Sequence, residues 1–242
     1  MASTATRDNP RTAAVWDALD PLVTGEPLDV VDIGGGTGGS AVRLAGLGHR
    51  VRVVDPSPDA LAALDRRARE AGVAVHGQQG DVSDLVDLVG PDGADLVLCH
   101  GVLEVLPGPD DASRGLDAVR AVLRAGGHLS LLLAQRHAAV VARAMAGHFA
   151  DARRLLDDPG AGAGTRTGRR WTHAEALDLV AAAGLDVEEV RAVRAFTDLV
   201  PGSLLDQESG AAASLVELER AVALRPEYVP LAAQLHLLCR SA

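Results

Sequence analysis

The fold is decided by one short stretch, residues 28–39, which reads Leu28-Asp29-Val30-Val31-Asp32-Ile33-Gly34-Gly35-Gly36-Thr37-Gly38-Gly39. Its apolar first half is typical of a buried strand of a parallel sheet. An acid and a glycine-rich turn follow, and a helical pattern begins at Ser40. Glycines at such a turn let the backbone reach positive φ and let a ligand approach bare N–H groups. The stretch therefore predicts a strand–loop–helix unit with a ligand at the loop.

The same glycines satisfy two templates. Gly34, Gly36 and Gly39 spell G-x-G-x-x-G, the dinucleotide fingerprint. Asp32 with Gly34, Gly36 and Gly38 spells D-x-G-x-G-x-G, which is similar to the first motif of class I S-adenosylmethionine (SAM) methyltransferases. A dinucleotide places a pyrophosphate on the loop, where an ionised Asp32 would repel it. SAM brings an ammonium and a sulfonium, which the acid attracts, so the motif favours SAM.

Two acidic residues follow the second and third predicted strands. Asp55, next to Pro56, ends a second strand over 51–54, and a carboxylate there can accept both ribose hydroxyls in either family. Asp81-Val82 follows a third short strand over 73–76. The resemblance to class I SAM methyltransferases implies that Asp81 holds the adenine amino group, and the alternative is the N-cap of a helix over 82–89.

His100 ends the fourth strand, residues 94–99, which is a pure apolar run. Because ligands bind outside the carboxyl ends of the strands in doubly wound sheets, His100 is expected to face the cofactor. Its role is left open among a structural hydrogen bond, a ligand contact and acid–base chemistry.

Composition limits the classes of function. The 242 residues are 48% hydrophobic but only 2% aromatic, which suits one domain with a core of Ala, Val and Leu. All 23 Lys+Arg residues are arginine, and the net charge of -10 does not support a broad basic surface for nucleic acid. Cys99 and Cys239 are expected to be buried small hydrophobes, so we expect no disulfide framework and no metal site. With no leader-like or membrane-spanning apolar run, a cytoplasmic protein is expected.

Strands and helices alternate along the chain. This order predicts an α/β fold with a doubly wound, Rossmann-like sheet of seven strands, parallel except for the last. Residues 1–24 would form an N-terminal lid helix, and residues 136–171 an insertion after the fifth strand, which we place at 128–134. The last predicted elements are a helix over 137–150, a strand over 186–196, a helix over 208–224 and a strand over 228–239.

The chain resembles the tRNA 5-carboxymethoxyuridine methyltransferase family of class I SAM enzymes. The residues that carry this resemblance are Arg11-Thr-Ala-Ala-Val-Trp16, Asp32 to Gly38, Asp55-Pro-Ser57, His100-Gly-Val-Leu-Glu104, Ser130-Leu-Leu-Leu133, His137, Met145-Ala-Gly-His-Phe149, Ala183-Gly184, Val193-Arg-Ala-Phe196 and Leu215-Val-Glu-Leu-Glu219.

The resemblance implies methyl transfer from SAM to the carboxylate of a modified wobble uridine. It also implies that Arg11 holds the SAM carboxylate, the loop from Gly34 to Gly38 its methionyl part, Asp55 its ribose and Asp81 its adenine, with Arg194 facing the substrate. A carboxylate acceptor is already ionised and needs no general base. The alternatives are a small-molecule O-, N- or C-methyltransferase, a dinucleotide oxidoreductase and a non-catalytic SAM-binding module.

Four arginines in the C-terminal half of the chain are candidates for binding the substrate. Arg166, Arg169 and Arg170 cluster in a Gly-rich loop of an acidic protein, and we expect them to contact phosphates of the substrate. Arg194 lies in the predicted sixth strand among apolar neighbours. It would either clamp the acceptor's carboxylate or pair with an acid such as Glu104 or Glu217.

Overall fold

The computed structural model describes residues 9–108, 110–158, 160–161, 168–207 and 210–242. One seven-stranded sheet runs through it in the order β3-β2-β1-β4-β5-β7-β6. The strands are β1 (Asp29–Ile33), β2 (Arg50–Asp55), β3 (His76–Gln79), β4 (Ala94–His100), β5 (Leu123–Ala134), β6 (Leu185–Val193) and β7 (Gln234–Ser241). Strand β7 runs antiparallel to both neighbours, and the other pairs are parallel. The predicted sheet, parallel except for its last strand, is confirmed.

Helices cover both faces of this sheet. They are α1 (Ala13–Val23), α2 (Gly39–Gly46), α3 (Pro58–Ala71), α4 (Leu85–Val89), α5 (Asp111–Val122), α6 (Arg136–Met145), α7 (Phe149–Asp157), α8 (His173–Ala182), α9 (Gly202–Gln207) and α10 (Ala211–Val222). Alternate residues of β1 enter two different apolar clusters: Val31 and Ile33 pack on one face, and Val30 packs on the other. A strand buried on both faces is the mark of a doubly wound sheet.

The N-terminal helix α1 is part of the core. Trp16 is 4% exposed, and the guanidinium of Arg43 lies 3.6 Å from its ring centroid. Leu19 is fully buried in the same cluster. The packing interpretation of Trp16 is therefore confirmed, whereas a lid function for residues 1–24 stays a prediction.

Several element boundaries differ from the sequence prediction. The helix expected over 137–150 is two helices, α6 and α7, because Gly147 adopts φ +79° between them. Strand β3 begins at His76, three residues later than expected. Strand β6 ends at Val193 because Arg194 adopts φ +61°, and a 3₁₀ turn over Val229–Leu231 delays the start of β7. Helix α9 had no counterpart in the prediction.

Two further sequence expectations bear on the structure. Cys99 and Cys239 are both fully buried free cysteines, as expected. In the described parts of the chain, no helix combines the length and the apolar character needed to cross a bilayer.

Candidate active site

The glycine loop between β1 and α2 depends on left-handed backbone. Gly34, Gly36 and Gly38 have φ values of +63°, +56° and +79°. A Cβ on Gly34 would lie 2.7 Å from Val102 Cγ2, and one on Gly38 would lie 2.1 Å from Leu64 Cδ1. At Gly36 the nearest atom to such a Cβ is 3.9 Å away, so the loop faces open space there. The loop is therefore packed against Val102 and Leu64 at Gly34 and Gly38, and it is open to a ligand at Gly36.

Asp32 lies directly under this loop. Its side chain is 4% exposed, and a Cβ on Gly35 would fall 2.6 Å from its Oδ2. Burial, with a smaller contribution from Asp55, raises the pKa of Asp32 to about 7. A positively charged group at the loop would favour the ionised carboxylate and lower this pKa.

Asp55 at the end of β2 turns back towards the loop. Its carboxylate accepts hydrogen bonds from the Gly36 N–H and the Ser57 N–H, both at 2.9 Å. Pro56 lies between Asp55 and the second of these donors, Ser57. Each oxygen of a carboxylate has a further lone pair, so Asp55 keeps the capacity to accept hydroxyl groups.

Asp81 caps the 3₁₀ turn over Val82–Asp84. Its Oδ1 accepts hydrogen bonds from the Ser83 N–H at 2.7 Å and the Ser83 hydroxyl at 2.6 Å, and the Ser83 bonds lower its pKa. Val82 is buried below it. The N-cap interpretation is thus confirmed, while a contact of Asp81 or Val82 with adenine stays a prediction.

His100 belongs to a hydrogen-bonded chain across three strands. Its Nε2 lies 2.8 Å from Ser130 Oγ on β5, which in turn lies 2.7 Å from His236 Nε2 on β7. Burial lowers the pKa of His100 to about 4. Burial, together with repulsion from His100 and Arg191, also lowers the pKa of His236 well below its usual value. Both rings are therefore neutral at pH 7. The sequence reading missed Ser130 and His236 as partners of His100, because only the sheet register brings them together.

A cavity of about 510 Å³ opens beside α6 and the ends of β6 and β7. Alanines of α6 and Ala134 provide much of its apolar wall, and Phe196 and Leu199 also line it. Its charged lining consists of three arginines against one carboxylate: Arg143, Arg170, Arg194 and Asp198. A cavity of this composition favours an anionic ligand.

Arg194 reaches this cavity from a turn and not from a strand, which corrects its predicted place in a strand over 186–196. Its partner is also different from the predicted Glu104 or Glu217. The guanidinium pairs with Asp198, with Nε 3.2 Å from Oδ1, and Nη1 donates to Gln234 Oε1 at 3.3 Å. These contacts use three of the five N–H groups of the guanidinium, so two remain for a ligand.

A buried carboxylate holds the turn after Arg194. Glu219 on α10 is 1% exposed and accepts hydrogen bonds from the backbone N–H groups of Ala195, Phe196 and Thr197 at 2.9, 3.0 and 2.8 Å. The Thr197 hydroxyl adds a fourth at 2.6 Å. Four donors on one carboxylate fix the backbone of this wall of the cavity.

The segment 168–170 is fixed by Glu104. The Arg169 N–H donates to the Glu104 carbonyl at 2.8 Å, and Glu104 Oε1 accepts from the Ala134 N–H at 2.6 Å. Burial raises the pKa of Glu104 to about 7. The predicted arginine cluster is divided: Arg170 lines the cavity, Arg169 lies 5.4 Å from the centroid of the Trp171 ring, and Arg166 falls outside the described residues.

Arg11 lies just before α1. Its side chain is 60% exposed, and its Nη1 is 3.9 Å from Asp198 Oδ1. A contact with a cofactor carboxylate stays a prediction. Arg143 and Asp198, which also line the cavity, were missed because a single charged residue on a helix or a turn carries no recognisable pattern.

Comparison with known proteins supports the reading of the loop. Residues 30–127 match the family model described as a methyltransferase domain. The chain is 31% identical over 152 residues to the tRNA 5-carboxymethoxyuridine methyltransferase of Escherichia coli (strain K12), covering 60% of this chain and 56% of that one. It is 33% identical over 81 residues to a ubiquinone biosynthesis O-methyltransferase of Burkholderia orbicola (strain MC0-3), covering 34% of each chain. The chain therefore spans about half or less of the length of these relatives.

The fold itself matches a solved structure over nearly its full length. A SAM-dependent methyltransferase from Methanosarcina mazei superposes with a TM-score of 0.63 over 92% of this chain and 96% of that one, at 16% identity. This likeness shows the architecture, which is that of class I methyltransferases.

Proposed function

We propose that this chain, which contains a class I SAM-dependent methyltransferase domain, transfers the methyl group of SAM to a carboxylate oxygen of its acceptor. The observation that carries the proposal is the cavity with three arginines and one carboxylate in its lining. A planar guanidinium matches a carboxylate with two parallel hydrogen bonds, and Arg194 keeps two unused N–H groups.

The residues around the glycine loop fit SAM. The open face at Gly36 leaves room for the ligand's approach, and the carboxyl groups of Asp32 and Asp55 lie beside it, where a bound cation would favour the ionised form of Asp32. We assign the ribose hydroxyls to Asp55, the cationic methionyl end to the loop above Asp32, its carboxylate to Arg11 and the adenine to Asp81 and Val82. SAM supplies an electrophilic methyl group on a sulfonium when it is bound.

The remaining chemistry is positioning. An acceptor carboxylate with a pKa near ~4 is ionised at neutral pH, so the protein need not remove a proton. Arg194 would hold that carboxylate in one orientation, and the alanine wall would exclude water from it. His100 is neutral and bonded to Ser130, which suits an orienting contact better than the transfer of a proton.

For the acceptor itself we propose the carboxymethoxy group of a modified wobble uridine in tRNA, which would place the protein in the cytoplasm. The Escherichia coli relative, named for that reaction, supports this choice. A small-molecule acceptor is the second candidate. The relatives named as ubiquinone biosynthesis O-methyltransferases favour it, and so does a cavity of a size that suits a drug-sized ligand.

Substitution of Arg194 tests the proposal. In Arg194→Lys the charge stays but the planar fork is lost, so turnover should fall tenfold or more. SAM affinity and the melting temperature should stay close to wild type, because lysine keeps the charge that faces Asp198 and the partly exposed pair contributes at most about 1 kcal/mol.

The matched control is Arg191→Lys, on the neighbouring strand β6 and paired with Glu189. It should keep wild-type turnover. An Arg194→Lys protein that melts earlier but turns over normally would remove Arg194 from the acceptor site.

A further inference from the structure

Within the described part of the chain, two of the three arginines in the cavity have no hydrogen-bond or ion-pair partner for their guanidinium groups. Among those residues, neither the Arg143 nor the Arg170 guanidinium takes part in an ion pair or a hydrogen bond, whereas Arg194 is bound to Asp198 and Gln234. Both side chains are partly buried. Most other arginines of the structure lie against a carboxylate, including exposed ones such as Arg69 with Asp65.

The two guanidiniums also lie close enough to repel one another. Burial lowers the pKa of Arg170, and repulsion from Arg143 lowers it further, followed by a smaller repulsion from Arg194. Glu104 opposes this effect, but burial raises its own pKa to about 7, so it is only partly ionised at neutral pH. Like charges in a partly desolvated cavity are costly unless a ligand of opposite charge joins them.

We propose that Arg143 and Arg170 form a second anion-binding site in this cavity, separate from Arg194, and that its ligand is a phosphate group of the acceptor. A carboxylate is satisfied by one guanidinium, since its two oxygens match one fork. A phosphate group presents oxygens in several directions and suits two guanidiniums that approach from different elements, here α6 and the segment 168–170. This inference rests on the proposed function in one respect, namely that the acceptor binds in this cavity.

The fold explains how the pair is assembled. Arg143 lies in the last turn of α6, and Arg170 follows the backbone hydrogen bond from the Arg169 N–H to the Glu104 carbonyl. Gly168 fits against Glu104 so closely that a Cβ there would lie 2.8 Å from the Glu104 Cβ. The two arginines therefore reach the cavity from separate parts of the segment that joins β5 to α8.

The test is phosphate binding to the double variant Arg143→Gln/Arg170→Gln, measured by calorimetry with inorganic phosphate as the probe. The control is Arg66→Gln/Arg69→Gln, which removes the same charge from α3 at the other edge of the sheet. We expect the dissociation constant for phosphate to rise fivefold or more in the first variant and to stay within twofold of wild type in the control. Each single variant is measured as well, in case the double variant fails to fold.

A second probe, a single-stranded uridine pentanucleotide, separates the two sources of phosphate. If the natural ligand is a nucleic-acid phosphodiester, the pentanucleotide binds more tightly than inorganic phosphate. Its salt slope then falls by about 0.7 in the double variant, since the two arginines share one phosphate and each neutralised phosphate of a single strand contributes about 0.7. If the ligand is a phosphorylated metabolite, the pentanucleotide binds no more tightly than phosphate.

The proposal is overturned if wild type does not bind phosphate, or if both double variants bind it equally well. SAM binding is measured on the same preparations. A protein that binds SAM but not phosphate loses this second site alone, whereas one that binds phosphate but not SAM contradicts the proposed function and keeps the site.

Discussion

At the scale of single residues, folding and ligand binding favour different protonation states of Asp32. Burial favours the neutral carboxyl group, and a cationic ligand favours the ionised one. Its pKa in the folded protein is about 7, against 3.8 for an unperturbed carboxyl. Between these values the folded state holds a proton that the unfolded state has lost. This residue's contribution to stability therefore falls as the pH rises from about 4 to about 7 and is constant above that range.

Replacement of Asp32 by Asn should change stability and SAM affinity in opposite directions. At pH 8 the variant should be more stable than wild type by up to about 4 kcal/mol, because it removes the cost of a buried charge. SAM affinity should fall about tenfold, because the attraction for the cationic ligand is lost. Melting curves at pH 5 and pH 8 and calorimetry with SAM check both effects. An Asp32→Asn protein that binds SAM as wild type does would remove this acid from the cofactor site.

Glu219 gives a second prediction at this scale. Glu219→Gln replaces one acceptor oxygen by a donor that faces N–H groups, so the turn that carries Arg194 should loosen. We expect the KM for the acceptor to rise fivefold or more, with SAM affinity unchanged. Stability should fall by about 1–3 kcal/mol. The exposed neighbour Glu217→Gln on the same helix is the control and should change neither value.

The kinetic signature separates this positioning role from a merely structural one. A smaller folded fraction lowers the apparent kcat and leaves KM alone. A result of that kind would show that Glu219 supports the fold without orienting the acceptor site.

The partner of Arg194 shows the limit of sequence reasoning for single residues. The sequence identified an arginine among apolar neighbours that needed an anion, and this is correct. It failed to find Asp198, because the prediction extended β6 to Phe196 and so ruled out a partner four residues away in a turn. The positive φ of Arg194 follows from tertiary contacts, namely the buried Glu219 and the hydrogen bond from the Ala233 N–H to the Arg194 carbonyl at 3.2 Å.

At the scale of elements, the junction between β1 and α2 was the most predictable part of the chain. Glycines at fixed spacing after an apolar strand leave few alternatives, and the structure uses Gly34, Gly36 and Gly38 with positive φ. The helix over 137–150 was less predictable. A single glycine in a helical pattern is tolerated in many proteins, so Gly147 alone did not predict the break between α6 and α7.

Substitution of two glycines tests this junction: Gly38, which caps the N-terminus of α2, and Gly46, the last residue of that helix. Gly38→Ala combines the penalty of positive φ, about 1–2 kcal/mol, with a Cβ placed 2.1 Å from Leu64 Cδ1. Stability should fall by more than this penalty, and SAM binding should be lost. Gly46→Ala, whose Cβ would meet nothing within 4 Å, should raise stability by up to about 1 kcal/mol. Equal effects of the two changes on SAM binding would contradict the role given to the loop.

At the scale of the whole molecule, the sheet and the helical layers on its two faces follow from the alternation of apolar strands with helices. This alternation can be read from short stretches of the sequence. The cavity does not follow from it. Its lining comes from α6, the segment 168–170, the turn after β6 and the start of β7, which are distant in sequence and meet only through strand order. For this reason the sequence could indicate the cofactor loop residue by residue, while Arg143 and Asp198 appeared only with the structure.

Methyl transfer from SAM to a carboxylate is tested most directly by the kind of bond that holds the transferred methyl group. The protein is incubated with methyl-labelled SAM and tRNA that carries 5-carboxymethoxyuridine, beside tRNA that lacks it and a metabolite extract. Label is expected in the first tRNA alone, released as methanol by mild alkali because a methyl ester hydrolyses. Alkali-labile label in the metabolite extract alone would contradict tRNA as the acceptor. Label that resists alkali, as an ether, amine or carbon-bound methyl group would, contradicts methyl transfer to a carboxylate.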